Sequence, residues 1–115
     1  MNSASSKPSR NLYAKRQAIL EGFDEALFIN PVDQLLEGTS TNVFIVKDRV
    51  ISTPSLDAGI LPGIVRGTIL RKLGQGVLER EISKSELLDA DEVFVTNAVL
   101  GIMPVAVDFV RIQQF

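Results

Sequence analysis

The chain has 115 residues, 45% of them apolar and 23% charged, with a formal net charge of −2. Those figures describe one ordinary globular domain with a core of its own, and they give no reason to expect nucleic acid or an anionic membrane as partner. There is neither cysteine nor histidine, which excludes disulfides and thiolate chemistry and removes the commonest general base and metal ligand.

Residues 1–9 are small, polar and interrupted by Pro8, and read as a disordered leader or a cut end. They lack the apolar core of a signal peptide, and no later run approaches the ~18 apolar residues of a membrane span, so the cytoplasm is the expected location. Leu12, Tyr13, Ile19 and Leu20, with Ala14 and Ala18, recur at helical spacing. They predict a helix over residues 10–21, closed by Gly22. Glu25 to Asn30 is a short apolar strand and Pro31-Val32-Asp33 a turn. Residues 34–38 and 42–46 make the second and third strands. Lys47-Asp48 is a hairpin signal, and residues 49–53 return as a fourth strand.

Pro54 to Pro62 is an irregular loop rich in Pro, Gly, Ser and Asp. Pro62 or Gly63 then opens a helix whose buried stripe is Ile64, Ile69, Leu70 and Leu73, and Gly74 and Gly76 end it. Residues 77–82 read as a strand. Ser83-Lys84-Ser85-Glu86 is a capping box before a short helix over 85–88. Residues 91–96 form another strand, turning at Asn97, and residues 103–107 form the last, where Pro104 disfavours a central place in a sheet. Strands outnumber helices in mixed order, so the class is α+β.

Three segments carry chemistry. LLEGTSTNVFIV, residues 35–46, is strand, polar turn, strand, with Glu37 at the entrance to the turn. An unpaired carboxylate is expensive to bury, so one set between buried strands is either paired or in use. Two readings stand for Glu37: a surface acid at a strand end, or an acid that keeps a ring nitrogen protonated by charge and hydrogen bonding. In Gly63-Ile64-Val65 a helix begins after a proline-containing loop, and its unpaired N–H groups suit a phosphate. An ordinary helix start reads the same way. Thr96-Asn97-Ala98 ends a strand with a hydroxyl and an amide, either completing an anion site or making an Asx turn. Arg66 serves as anion ligand, partner of Asp57, or solvated surface charge. Together the segments suggest a phosphate-bearing, nitrogenous cofactor.

The order of DEALFIN, LLEGTSTNVFIV, TPSLDAGILPGIVRGTIL and ADEVFVTNAVLGIMPV, over residues 11–105, resembles the fold-type IV enzymes dependent on pyridoxal 5′-phosphate. These include branched-chain and D-amino-acid aminotransferases and aminodeoxychorismate lyase. VTNAVLGIMPV is most similar to the lyase, which converts 4-amino-4-deoxychorismate to 4-aminobenzoate and pyruvate for folate synthesis; a class IV aminotransferase is the alternative. The resemblance implies the C-terminal lobe of the D-amino-acid-aminotransferase-like fold, a mixed, mostly antiparallel sheet with flanking helices over residues 10–115. It implies that Glu37 meets the pyridine nitrogen, that the N–H groups of Ile64 and Val65 cradle the phosphate, and that Thr96, Asn97 and Ala98 form a second loop beside it. Thr39, Ser40 and Thr41 fall beside the ring.

The same resemblance requires a lysine that holds the cofactor covalently. Its expected slot, seven or eight residues before Asn11, falls on Ser3 or Ala4, and neither forms an imine; either Lys7, three to four residues displaced and followed by a proline, takes the role, or the lysine was lost with upstream sequence. An N-terminal lobe is missing from the match. The expected partners are therefore that lobe, a small amino substrate and a second copy in a homodimer, and the chain alone is expected to be inactive. A reading of another class also stands: a non-catalytic remnant domain.

Overall fold

The computed structural model describes residues 3–114, with side chains from Leu12 onward. Two helices sandwich two sheets. Helix α1 (Ser3–Leu20) lies on the first sheet, whose strands are β1 (Glu25–Ile29), β2 (Leu35–Gly38) and β8 (Val110–Gln114), in the order β2-β1-β8. The second sheet holds β3 (Asn42–Lys47), β4 (Val50–Thr53), β5 (Val77–Glu79), β6 (Glu92–Asn97) and β7 (Gly101–Val105), in the order β5-β4-β3-β6-β7. Helix α2 (Ile64–Leu73) covers its far face, and the one-turn α3 (Lys84–Leu88) sends Leu87 into the central core. Pairing is antiparallel except at β1–β8 and β4–β5.

The alternation of side chains along each strand sorts residues into three apolar layers. Ala26 and Phe28 of β1 face Ala14 and Ala18, a small-residue stripe that lets α1 approach closely. Leu27 faces the other way, into the central core with Val43, Ile45, Val93, Val95 and Val110. Phe44 and Phe94 point outward under α2, where they stack 4.9 Å apart and meet Ile69. Burial on both faces explains why β1 reads as an unbroken apolar run.

Several boundaries differ from the expectation. Helix α1 begins at Ser3, so most of the stretch read as a leader belongs to it. Its C-terminus is a Schellman motif: Gly22, at φ 87°, and Phe23 donate their N–H groups back to Ile19 and Ala18. The β3–β4 turn is Asp48-Arg49, both at positive φ, one residue later than the expected Lys47-Asp48. Strand β5 stops at Glu79 rather than residue 82. The single sheet expected is two, and β8 was not anticipated, although Val110 and Ile112 alternate with Arg111 and Gln113 and pack into the central core. Pro104 sits on an edge strand, as its missing donor requires.

Candidate functional site

A cavity of about 750 Å³ opens where the β2–β3 turn, the start of α2, the end of β6 and the middle of α1 converge. Glu37 through Asn42 form its floor, with Leu61, Gly63 and Ile64 on one side, Thr96, Asn97 and Ala98 on another, and Leu12 and Lys15 across from them. Three segments read separately in the sequence thus line one space.

Glu37 is buried, 6% exposed, and its Oε1 accepts the Leu61 N–H at 3.1 Å. Asn42 Nδ2 donates to the Leu61 carbonyl at 2.9 Å. These two side chains stitch the loop before α2 onto the strands and so set where the helix begins. Gly63 is the N-cap, with no side-chain cap. A Cβ there would run into Asn42 Oδ1, so the close approach of the helix start to β3 demands glycine. The first N–H groups of α2 have no acceptor inside the helix and carry its positive dipole end. Thr96 pairs with Asn42 across β3–β6. Its hydroxyl is buried without a hydrogen-bond partner among the described residues, although the residue is only 1% exposed. Leaving such a group unpaired costs on the order of 1–3 kcal/mol, and the residue that carries it lines the cavity.

The floor is wired differently. Glu25, 3% exposed, accepts hydrogen bonds from Thr39 Oγ1 at 2.8 Å, Thr41 Oγ1 at 3.1 Å and the Ala26 N–H at 2.9 Å. Lys15 Nζ lies 3.5 Å from Glu25 Oε1 and donates to the Asp24 carbonyl at 2.9 Å. Neither Glu25 nor Lys15 stood out in the sequence. The available signal was the one used for Glu37: a carboxylate opening a strand that is buried on both faces.

The Val65 side chain packs with Phe44, Ile69 and Val77, while the expectation for this residue concerns its backbone N–H, which lies in the first turn of α2. One expectation is corrected. Arg66 is not paired with Asp57 and is not a surface charge. It is 3% exposed, and Nη2 donates to Glu79 Oε2 at 2.7 Å and to the Pro54 carbonyl at 3.0 Å. Asn97 makes the Asx turn as well as lining the cavity, its Oδ1 accepting the N–H groups of Val99 and Leu100. The backbone of Lys7 lies within α1, about two turns before Lys15; its side chain is outside the described part. No cluster of metal-binding side chains occurs among the described residues, and no described helix is long and apolar enough to cross a membrane.

The family model for class IV aminotransferases matches residues 8–107. A probable branched-chain-amino-acid aminotransferase of Synechocystis is 42% identical over 105 residues, covering 89% of this chain and 33% of that protein. A putative 4-amino-4-deoxychorismate lyase from Legionella pneumophila superposes with a TM-score of 0.82 at 34% identity, over 93% of this chain and 39% of the other. The branched-chain amino acid aminotransferase of Thermobaculum terrenum, in its pyridoxal-phosphate form, gives 0.79 at 34% identity, over 90% and 34%. The chain spans about a third of the length of the relatives it matches.

Proposed function

Since this chain belongs to the class IV aminotransferase family, whose members depend on pyridoxal 5′-phosphate, we propose that it is the cofactor-binding lobe of such an enzyme. The observation that carries this is one cavity lined by Glu37, by Gly63 and Ile64 at the start of α2, and by Thr96, a residue whose buried hydroxyl has no partner among the described residues. That combination fits a phosphate at one end and a pyridine ring at the other. The N–H groups of Ile64 and Val65 and the Thr96 hydroxyl hold the phosphate, with Asn97 and Ala98 alongside. Glu37 holds a proton on the ring nitrogen, and its bond to the Leu61 N–H keeps the carboxylate aimed. When bound, the cofactor supplies the electron sink for chemistry at the substrate's amine-bearing carbon, and Glu37 tunes it.

Lysine chemistry falls to Lys7. Lys15, which lines the cavity, is taken up by Asp24 and Glu25, whereas Lys7 rides on the same helix and is not part of a separate leader. For the whole enzyme we propose aminodeoxychorismate lyase activity, supported by VTNAVLGIMPV over residues 95–105 and by the likeness to the Legionella lyase. An aminotransferase acting on a branched-chain or D-amino acid is supported as well by the Synechocystis relative.

The test is to mix the chain with pyridoxal 5′-phosphate, reduce with borohydride and map the labelled lysine by mass spectrometry. The reading expects cofactor uptake, label at Lys7 and none at Lys15, without turnover of amino substrate. Turnover by this chain alone contradicts the lobe reading, and absence of any uptake supports a remnant domain instead.

A further inference from the structure

The Glu25 network fixes more than a turn. An ionised carboxylate only accepts hydrogen bonds, whereas a hydroxyl has one proton to give. The contacts of Glu25 with Thr39 Oγ1 and Thr41 Oγ1 therefore have one possible direction, with both threonines donating. Neither can then donate to anything in the cavity. Ser40 stands between them, exposed, on the cavity lining, and its hydroxyl has no hydrogen-bond partner among the described residues. The Gly38 N–H closes the turn on the Thr41 carbonyl at 2.9 Å, and a Cβ at Gly38 would collide with Thr41 Oγ1, so the turn has little room to re-form.

We propose that Glu25 is a positioning residue: by taking the protons of both flanking threonines it makes Ser40 the one hydroxyl donor the turn presents to the ligand. The group opposite Ser40 is then an acceptor, an anionic or phenolic oxygen beside the ring. This rests on the cavity being the cofactor site proposed above. Lys15 belongs to the same device, its ammonium balancing the Glu25 charge from the outer side. A glutamine at residue 25 breaks the logic without emptying the space. Its amide nitrogen donates, so one threonine loses its acceptor and turns its proton toward the cavity in competition with Ser40.

The experiment titrates the chain with pyridoxine 5′-phosphate, which binds without needing a lysine, and records melting temperatures alongside. The variants are Ser40→Ala, Glu25→Gln, the double variant, and Thr41→Val in case Glu25→Gln does not fold. Ser40→Ala is expected to weaken binding by about three- to tenfold, the worth of one hydrogen bond, at an unchanged melting temperature. Glu25→Gln is expected to weaken binding too, and the double variant to bind no worse than the weaker single. Thr41→Val removes a flanking hydroxyl without freeing its proton, so it is expected to bind like the parent, and a loss as large as that of Ser40→Ala would overturn the proposal. Binding that is unchanged in Ser40→Ala, or losses that simply multiply, overturns the proposal while leaving the cofactor site standing. Absence of binding by the parent chain overturns both.

Discussion

The two ends of the cavity are built on opposite plans. On the floor, every buried acid is engaged: Glu25 by two threonines, a backbone N–H and Lys15, and Glu37 by the Leu61 N–H. At the α2 end the polar groups are left open, with unpaired helix N–H groups and a buried Thr96 hydroxyl that has no partner among the described residues. A satisfied network holds its shape without a ligand, whereas unsatisfied donors store a cost that a ligand relieves. The floor is a template for the ring, and the helix end is where binding free energy is gained.

The largest expected effect comes from coupling the two ends by force. Gly63→Val places a side chain onto Asn42, which anchors the Leu61 loop, and crowds the helix start. Cofactor binding should fall below detection, and chemical denaturation should show a loss of about 1–3 kcal/mol. Binding close to that of the parent would show that the phosphate sits elsewhere.

Glu37→Gln probes the floor. The amide oxygen still accepts the Leu61 N–H, but the charge facing the ring is gone. Affinity for pyridoxine 5′-phosphate should drop at least about tenfold, the scale of a charge-assisted hydrogen bond, as read by equilibrium titration.

Thr96→Val separates the two plans most sharply, because stability and binding should move in opposite directions. Removing an unpaired buried hydroxyl in a near-isosteric swap should leave the free chain as stable or up to about 1–3 kcal/mol more so, while phosphate affinity falls about three- to tenfold. A joint loss of stability and binding would mean the hydroxyl has a structural partner.

The smallest effect lies outside the cavity and serves as its control. The Arg80 guanidinium, bonded to Glu86 Oε2 at 2.6 Å, holds the Glu86 carboxyl below its usual range, helped by the Ser83 N–H of the α3 capping box. A lowered folded-state value contributes stability above the ordinary carboxylate range, and that contribution is lost as pH falls through the lowered value. The side chain is 41% exposed, so after solvent screening Glu86→Gln should cost only about 0.5 kcal/mol at neutral pH. The difference should vanish in acid, with cofactor affinity untouched.

The helix end and Glu37 were legible in the sequence because each signal is local: a glycine after a proline loop, an acid between apolar runs. The α3 capping box was legible for the same reason. The supports were not. Glu25 reaches its threonines 14 and 16 residues downstream, and Arg66 finds Glu79 13 residues away. No periodicity encodes those distances; only the sheet order does. Strand β8 carries only two apolar side chains, Val110 and Ile112, and finds its place by parallel pairing with β1, which stands far earlier in the chain. The start of α1 was hidden by a composition that favours loops, with Pro8 among serines.

The central claim is that the open donors at the start of α2 and on β6 receive a phosphate while the wired floor receives a ring. Amide NMR spectra of the labelled chain, recorded while pyridoxine 5′-phosphate is added, test it residue by residue. The account predicts the largest shifts at Ile64, Val65 and Thr96, a second group at Glu37 through Thr41, and only the first group when inorganic phosphate is added alone. Shifts confined to other surfaces, or the same pattern with pyridoxine lacking its phosphate, would contradict it.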